Sequence, residues 1–182
     1  MVASKSKERR ERLIDILLYG GLAIIVAVVL YRAIPGVHPL QGLAAPKAAV
    51  QDFAGNPVDL SATIGKDVVL INFWASWCPP CRVELPEIAG LAKEYQGVEG
   101  VSVIAVSLDA SPPAAKPIAD ELDPALKVYW GAEGAGSSFQ VEGLPCTFVI
   151  GRDGVVKHSF VGYHEGVVEE MRAAIEAERQ SP

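Results

Sequence analysis

Cysteine is scarce in this 182-residue chain, which holds only Cys78, Cys81 and Cys146. Three are too few for a small fold stapled by disulfides, and an odd number leaves at least one without an internal partner. Histidine is equally sparse, and the three present stand at no metal-ligand spacing. A four-ligand zinc site therefore lacks its second pair of ligands, and no metal set is expected. Basic residues are in the minority, 16 Lys and Arg against 22 Asp and Glu for a net charge of −6, which argues against nucleic-acid binding. Charged residues at 21%, with 17 Gly and 13 Pro, fit neither a disordered acidic tail nor a collagen-like repeat. There is no internal repeat and only one long apolar run. The length suits one globular domain with a short extension.

That apolar run accounts for much of the mean hydropathy of +0.26. Residues 1–12 carry Lys5, Lys7, Arg9, Arg10 and Arg12 against Glu8 and Glu11, and residues 13–30 contain a single charge, Asp15. Eighteen residues of helix span roughly 27 Å, about the thickness of the bilayer's hydrocarbon core. The basic cluster precedes the run, so the expected topology is an N-terminus in the cytoplasm and everything after the run outside. A cleaved signal would need a small-residue site just downstream, whereas the nearest tolerable one lies around residues 42–44. A buried core helix is the remaining alternative, but the run is apolar on every face and sits behind a basic tail. The reading is a basic tail at 1–12, a transmembrane anchor at 13–31, a Pro/Gly/Ala linker at 32–46 and a folded domain at 47–182. Beyond residue 32 there are ten Lys and Arg against nineteen Asp and Glu, a net −9.

In that domain, residues 68–74 (VVLINFW) and 101–108 (VSVIAVSL) are continuous apolar runs typical of strands buried on both faces. Between them a helix is expected over 79–95, opening on prolines and kinked at Pro86. A short helix over 114–122, a brief strand at 127–130 and a helical turn at 134–140 follow. Residues 147–150 and 155–161 read as a hairpin with Asp153-Gly154 at its tip. A closing amphipathic helix over 165–178 places Val168, Met171 and Ile175 on one face. This order describes an α/β fold with a mixed central sheet.

Cys78-Pro79-Pro80-Cys81 falls where a buried strand passes into a helix. Cysteines at i and i+3 of a first turn bring their sulfurs to bonding distance, so a Cys78–Cys81 disulfide is expected. Unpaired N–H groups at the helix start favour the Cys78 thiolate, which makes Cys78 the attacking sulfur and Cys81 the resolving one. Neither proline donates a backbone N–H to Cys78, which disfavours a strongly oxidising couple. The alternatives are a structural disulfide or half of a zinc site.

INFWASWCPPCRVELP (residues 71–86) resembles the active-site segment of TlpA/ResA-like membrane-anchored thiol–disulfide oxidoreductases of the thioredoxin fold. GLPCTFVIGRDGVV (residues 143–156) is similar to the segment where that fold carries its cis-proline and following hairpin. The resemblance, spanning about residues 47–178, implies that Pro145 is cis and faces the dithiol. Leu144 would then offer backbone to an extended substrate, with Trp77 and Pro79 shaping the docking surface and Trp74 in the core. It calls for no cofactor.

Two positions depart from the wider thioredoxin pattern. Asn72 stands where thioredoxins have a buried Asp, and an amide cannot accept the proton Cys81 must lose. Glu84 is the nearest acid, and the family implicates a glutamate there in tuning the thiols; otherwise it is a solvated first-turn carboxylate. Cys146 follows the expected cis-proline where Thr is usual. It is either a packing residue or a third thiol, able to pair with Cys81 or complete a Cu(I) site.

The resemblance implies a periplasmic-side reductant of disulfides in exported proteins, serving cytochrome c maturation or copper-site assembly. A membrane electron donor of the thiol-transfer type would recharge it. The rival reading is a Cu(I)-carrying module using Cys78, Cys81 and possibly Cys146.

Overall fold

The computed structural model describes residues 38–131 and 134–181, together with 16, 19–26 and 29. The chain divides into two units, Met1–Pro39 and Leu40–Pro182. In the first, residues 19–26 are helical, and Tyr19, Leu22, Ile24, Ile25 and Val26 are exposed, as are Ile16 and Val29. The basic tail, the other anchor residues and the linker up to residue 37 lie outside the described residues. Among those described, no helix is long and apolar enough to cross a membrane.

The second unit is built on one seven-stranded sheet. In chain order its strands are β1 (Val50–Gln51), β2 (Pro57–Val58), β3 (Val68–Trp74), β4 (Val101–Ser107), β5 (Lys127–Gly131), β6 (Cys146–Ile150) and β7 (Val156–Val161). Their spatial order is β2-β1-β5-β4-β3-β6-β7. β3 pairs in parallel with β4, from Val68 opposite Val101 to Trp74 opposite Ser107, and antiparallel with β6. The helices are α1 (Pro79–Glu94), α2 (Pro112–Ala119), α3 (Ala135–Ser138) and α4 (Val167–Gln180).

Every residue of β3 is buried, and the period-two alternation of a strand explains why its pattern is unbroken. Val68, Leu70 and Trp74 pack with Leu85 and Ile88 of α1 and Met171 and Ile175 of α4. Val69, Ile71 and Phe73 enter a second core with Ile104, Phe139 and Phe148. The strand that delivers Cys78 is therefore held from both faces and both edges. α1 runs through Pro86 without ending there. At the hairpin tip Gly154 has φ +74°, a left-handed conformation that glycine adopts without steric conflict.

The structure departs from the sequence reading at three places, one of them an element the sequence reading did not foresee. The domain starts before residue 47: Leu40 is buried, and Gly42, Leu43 and Ala45 exchange backbone hydrogen bonds with Gly154 and Val156 at 2.8 to 2.9 Å. A Pro/Gly/Ala stretch has no periodicity to betray this pairing. The β1–β2 edge hairpin has two residues per strand, too few to show alternation; Asp52 closes its turn by accepting from Ala54 and Asn56 N–H at 2.9 and 2.8 Å. α2 begins at Pro112 rather than 114 and ends at Ala119, because prolines suit its first turn.

Candidate active site

After β3 the chain makes a turn over residues 75–78, closed by the Cys78 N–H donating to the Ala75 carbonyl at 3.1 Å. Cys78 then caps α1 with extended backbone, Pro79 and Pro80 occupy the first helical positions, and the Cys81 N–H donates to Cys78 Sγ at 3.3 Å. The prolines thus leave Cys81 as the backbone donor recorded on that sulfur. Cys78 and Cys81 are joined in a disulfide with their Cα atoms 5.3 Å apart. Cys81 is wholly enclosed, Cys78 is 3% exposed, and Trp77 beside it is 68% exposed.

The Leu144–Pro145 bond is cis. Because Phe73 lies opposite Cys146, Pro145 falls at the same end of the sheet as the turn that carries Cys78. An open groove there is lined by Trp77, Cys78, Pro79, Leu108, Val141 and Leu144. Trp77, Pro79 and Leu144, expected from the resemblance at a docking surface, are among the residues that line it. Leu108 and Val141 were not expected there, since Leu108 reaches the dithiol only through the pairing of β3 with β4 and Val141 only through the path of the segment between α3 and β6. Trp74 is fully buried, as expected.

Behind the dithiol lies a buried polar cluster. Glu84 is 1% exposed, so its reading as a solvated surface carboxylate does not hold: the α1 face it occupies packs against the sheet. Its Oε1 accepts from the Asn72 carboxamide at 2.8 Å and from the Thr147 hydroxyl at 3.4 Å, and Asn72 also donates to Thr147 Oγ1 at 2.8 Å. Burial raises the Glu84 pKa to about 7; the Thr147 bond opposes, neighbouring Glu87 adds to the rise, and Asn72 also opposes. Its Oε2 and the Asn72 Oδ1 have no hydrogen-bond partner among the described residues. A carboxyl group so placed exchanges its proton near neutrality. Thr147 was missed, being one of many strand residues in the sequence.

Cys146 is a free, buried thiol, but it does not face the dithiol. Alternation along β6 turns Thr147 toward Glu84 and sends Cys146 to the opposite face, into the core with Phe73, Phe139 and Phe148. Burial pushes its pKa up to about 12, with a smaller contribution from Glu84. Cys78 and Cys81 pack in the other core, and among the described residues no three His, Cys, Asp or Glu side chains gather to hold a metal. The three-sulfur Cu(I) site is therefore not assembled.

The family model described as Redoxin matches residues 40–175. The chain belongs to the redoxin family. Within it, this redoxin is 32% identical over 167 residues to the thiol-disulfide oxidoreductase ResA of Oceanobacillus iheyensis, covering 87% of this chain and 86% of that one. It is 33% identical over 156 residues to the thiol:disulfide interchange protein DsbE of Pseudomonas aeruginosa, covering 81% and 83%. A Chlorobium tepidum crystal structure described as a thiol:disulfide interchange protein DsbE superposes with TM-score 0.68 at 32% identity, covering 76% of this chain and 96% of that one. This redoxin is a TlpA/ResA-like thiol–disulfide oxidoreductase with the thioredoxin fold.

Proposed function

We propose that the enzyme reduces disulfides in exported proteins, tethered by residues 13–31 to the outer face of the cytoplasmic membrane with its N-terminus inside. One observation carries the reading: Cys78 lines an apolar groove with Trp77 and Leu144, while Cys81 is fully enclosed one turn into α1. The reduced Cys78 thiolate attacks one sulfur of a substrate disulfide docked there, and the other sulfur leaves as a thiolate. Cys81 loses its proton to Glu84 and attacks Cys78, forming the Cys78–Cys81 disulfide and releasing the second substrate thiol. Two electrons pass to the substrate.

The direction is supported by the prolines after Cys78, which withhold N–H donors that would stabilise its thiolate. The tether is supported by the exposed apolar residues at 16, 19, 22, 24, 25, 26 and 29, which at helical spacing are spread around the axis and need a non-aqueous neighbour. Apocytochrome c or a copper-site protein is the expected substrate class, as in the group the active-site segment resembles. A membrane donor drawing on cytoplasmic thiols restores the dithiol.

Trapping tests this. Cys81→Ser in the full chain is expected to accumulate mixed disulfides between Cys78 and exported proteins, absent from Cys78→Ser. A reduction potential near about −120 mV, as for strong oxidants, would overturn the reductive direction.

A further inference from the structure

Asp109 stands just beyond the C-terminal end of β4 and takes no part in the thiol chemistry above. It is 4% exposed, yet the donors recorded on its carboxylate are all uncharged. The Ser76 N–H donates to Oδ2 at 2.9 Å and the Ser76 hydroxyl to Oδ1 at 2.6 Å. The Ser107 hydroxyl donates to Oδ2 at 2.8 Å. Its backbone is anchored as well: its N–H donates to Ser107 Oγ at 3.1 Å, and its carbonyl accepts the Trp130 indole N–H from β5 at 2.8 Å.

Ser76 is the second residue of the turn over 75–78 that presents Trp77 and Cys78. The β3–β4 ladder continues one step past the strands, with Leu108 N–H donating to the Trp74 carbonyl at 2.8 Å. Residues 107–109 therefore run alongside the start of that turn. A buried carboxylate without a cation is retained only when hydrogen bonds replace its hydration. Here two of those bonds grip both donors of one turn residue.

We propose that Asp109 is a positioning residue for the nucleophile: by holding the N–H and the hydroxyl of Ser76 it fixes the turn that presents Cys78, and so sets the effective concentration of the Cys78 sulfur toward Cys81. Without this clasp the turn keeps its single closing bond, from Cys78 N–H to the Ala75 carbonyl. A loosened turn gains freedom in the reduced enzyme that the disulfide form must give up, so the dithiol state gains relative to the disulfide. The inference needs only thiol–disulfide exchange at Cys78 and Cys81. It holds whichever way electrons flow and whatever the substrate.

The test equilibrates the full-length protein with glutathione buffers and reads the equilibrium constant for Cys78–Cys81 formation in Asp109→Ala, Asp109→Asn and Ser76→Ala. Asp109→Ala is expected to lower that constant about tenfold, a potential about 30 mV less reducing. Asp109→Asn, whose carboxamide oxygen still accepts the Ser76 N–H, is expected to stay within about threefold of the parent. A purely structural role would destabilise both redox forms alike and cancel in this measurement. An Asp109→Ala protein with a lowered Tm but the parent constant would therefore overturn the proposal. So would an Asp109→Asn protein as impaired as Asp109→Ala. If Asp109→Ala does not fold, Ser76→Ala decides: a fall of about threefold supports the clasp, and an unchanged constant refutes it.

Discussion

The Asn72 carboxamide donates to Glu84 Oε1 at 2.8 Å across the interface between β3 and α1, with both residues 1% exposed. Burial raises the Glu84 pKa to about 7, opposed by the hydrogen bonds from Thr147 and from the neutral Asn72 donor. An aspartate at 72 would instead set two carboxyl groups in contact, pushing one of them far from neutrality. Amide and acid together leave one buried carboxyl group that exchanges its proton near neutrality, one turn of helix from Cys81.

Glu84 is expected to make stability fall as pH rises. Its folded pKa of about 7 exceeds the reference 4.5, so the folded state binds the extra proton between these values. Its contribution is complete below about pH 4.5 and is lost as pH climbs through about 7, amounting to about 3 kcal/mol. Glu84→Gln should flatten that segment of the stability curve, read by urea unfolding at pH 4.5 to 8. It should also slow resolution of the mixed disulfide. An unchanged pH slope would contradict the buried titration.

Asn72→Asp is expected to destabilise the protein by about 2 to 4 kcal/mol at pH 8, where two buried carboxylates would share one site. The penalty should shrink at pH 5, because a single proton bridges the pair. Thermal melts at the two pH values measure the difference, and equal losses at both would argue against coupling between 72 and 84.

The groove wall at Leu108 is set by a glycine. A Cβ added at Gly136 would lie 2.8 Å from Leu108 Cδ1, well inside contact distance. Gly136→Ala is therefore expected to displace Leu108 in the groove wall and raise KM for a protein disulfide several-fold. The reaction with a small dithiol should be unaffected. Parallel kinetics with both substrates test this, and equal effects on the two would point to damage of the dithiol itself.

Cys146 is expected to be inert. Oxidised protein should contain one thiol that reacts with Ellman's reagent only after unfolding, because a buried group with a pKa of about 12 offers almost no thiolate at neutral pH. Cys146→Ala is expected to cost about 1 kcal/mol through lost packing with Phe73 and Phe148, with the Cys78–Cys81 potential unchanged. A shifted potential would show that the third thiol communicates with the pair.

Much of the architecture was legible in the residues. β3 and β4 declare themselves through seven-residue runs rich in β-branched and apolar side chains, α1 through its opening prolines, and the β6–β7 hairpin through Asp153-Gly154. These are local signals, set by backbone sterics and by the need to bury apolar surface on both faces of a central strand. The pairing of residues 42–45 with 154–156 left no such trace, because it lies between segments about 110 residues apart and uses backbone groups common to every residue.

The site divides along the same line. The disulfide pair follows from sequence alone, since a three-residue separation in a first helical turn brings the two sulfurs within bonding reach. What surrounds the pair does not. Whether Glu84 met water or the core depended on which face of α1 lies on the sheet, and that is decided by packing. Whether Cys146 faced the dithiol depended on the register of β6 against β3, where a one-residue step inverts every side chain. Ser76 and Asp109 lie 33 residues apart, and their hydrogen bonds exist only because β3 and β4 run parallel in a fixed register. The chemistry was written in neighbouring residues, whereas its tuning and positioning came from groups that meet only across the folded sheet.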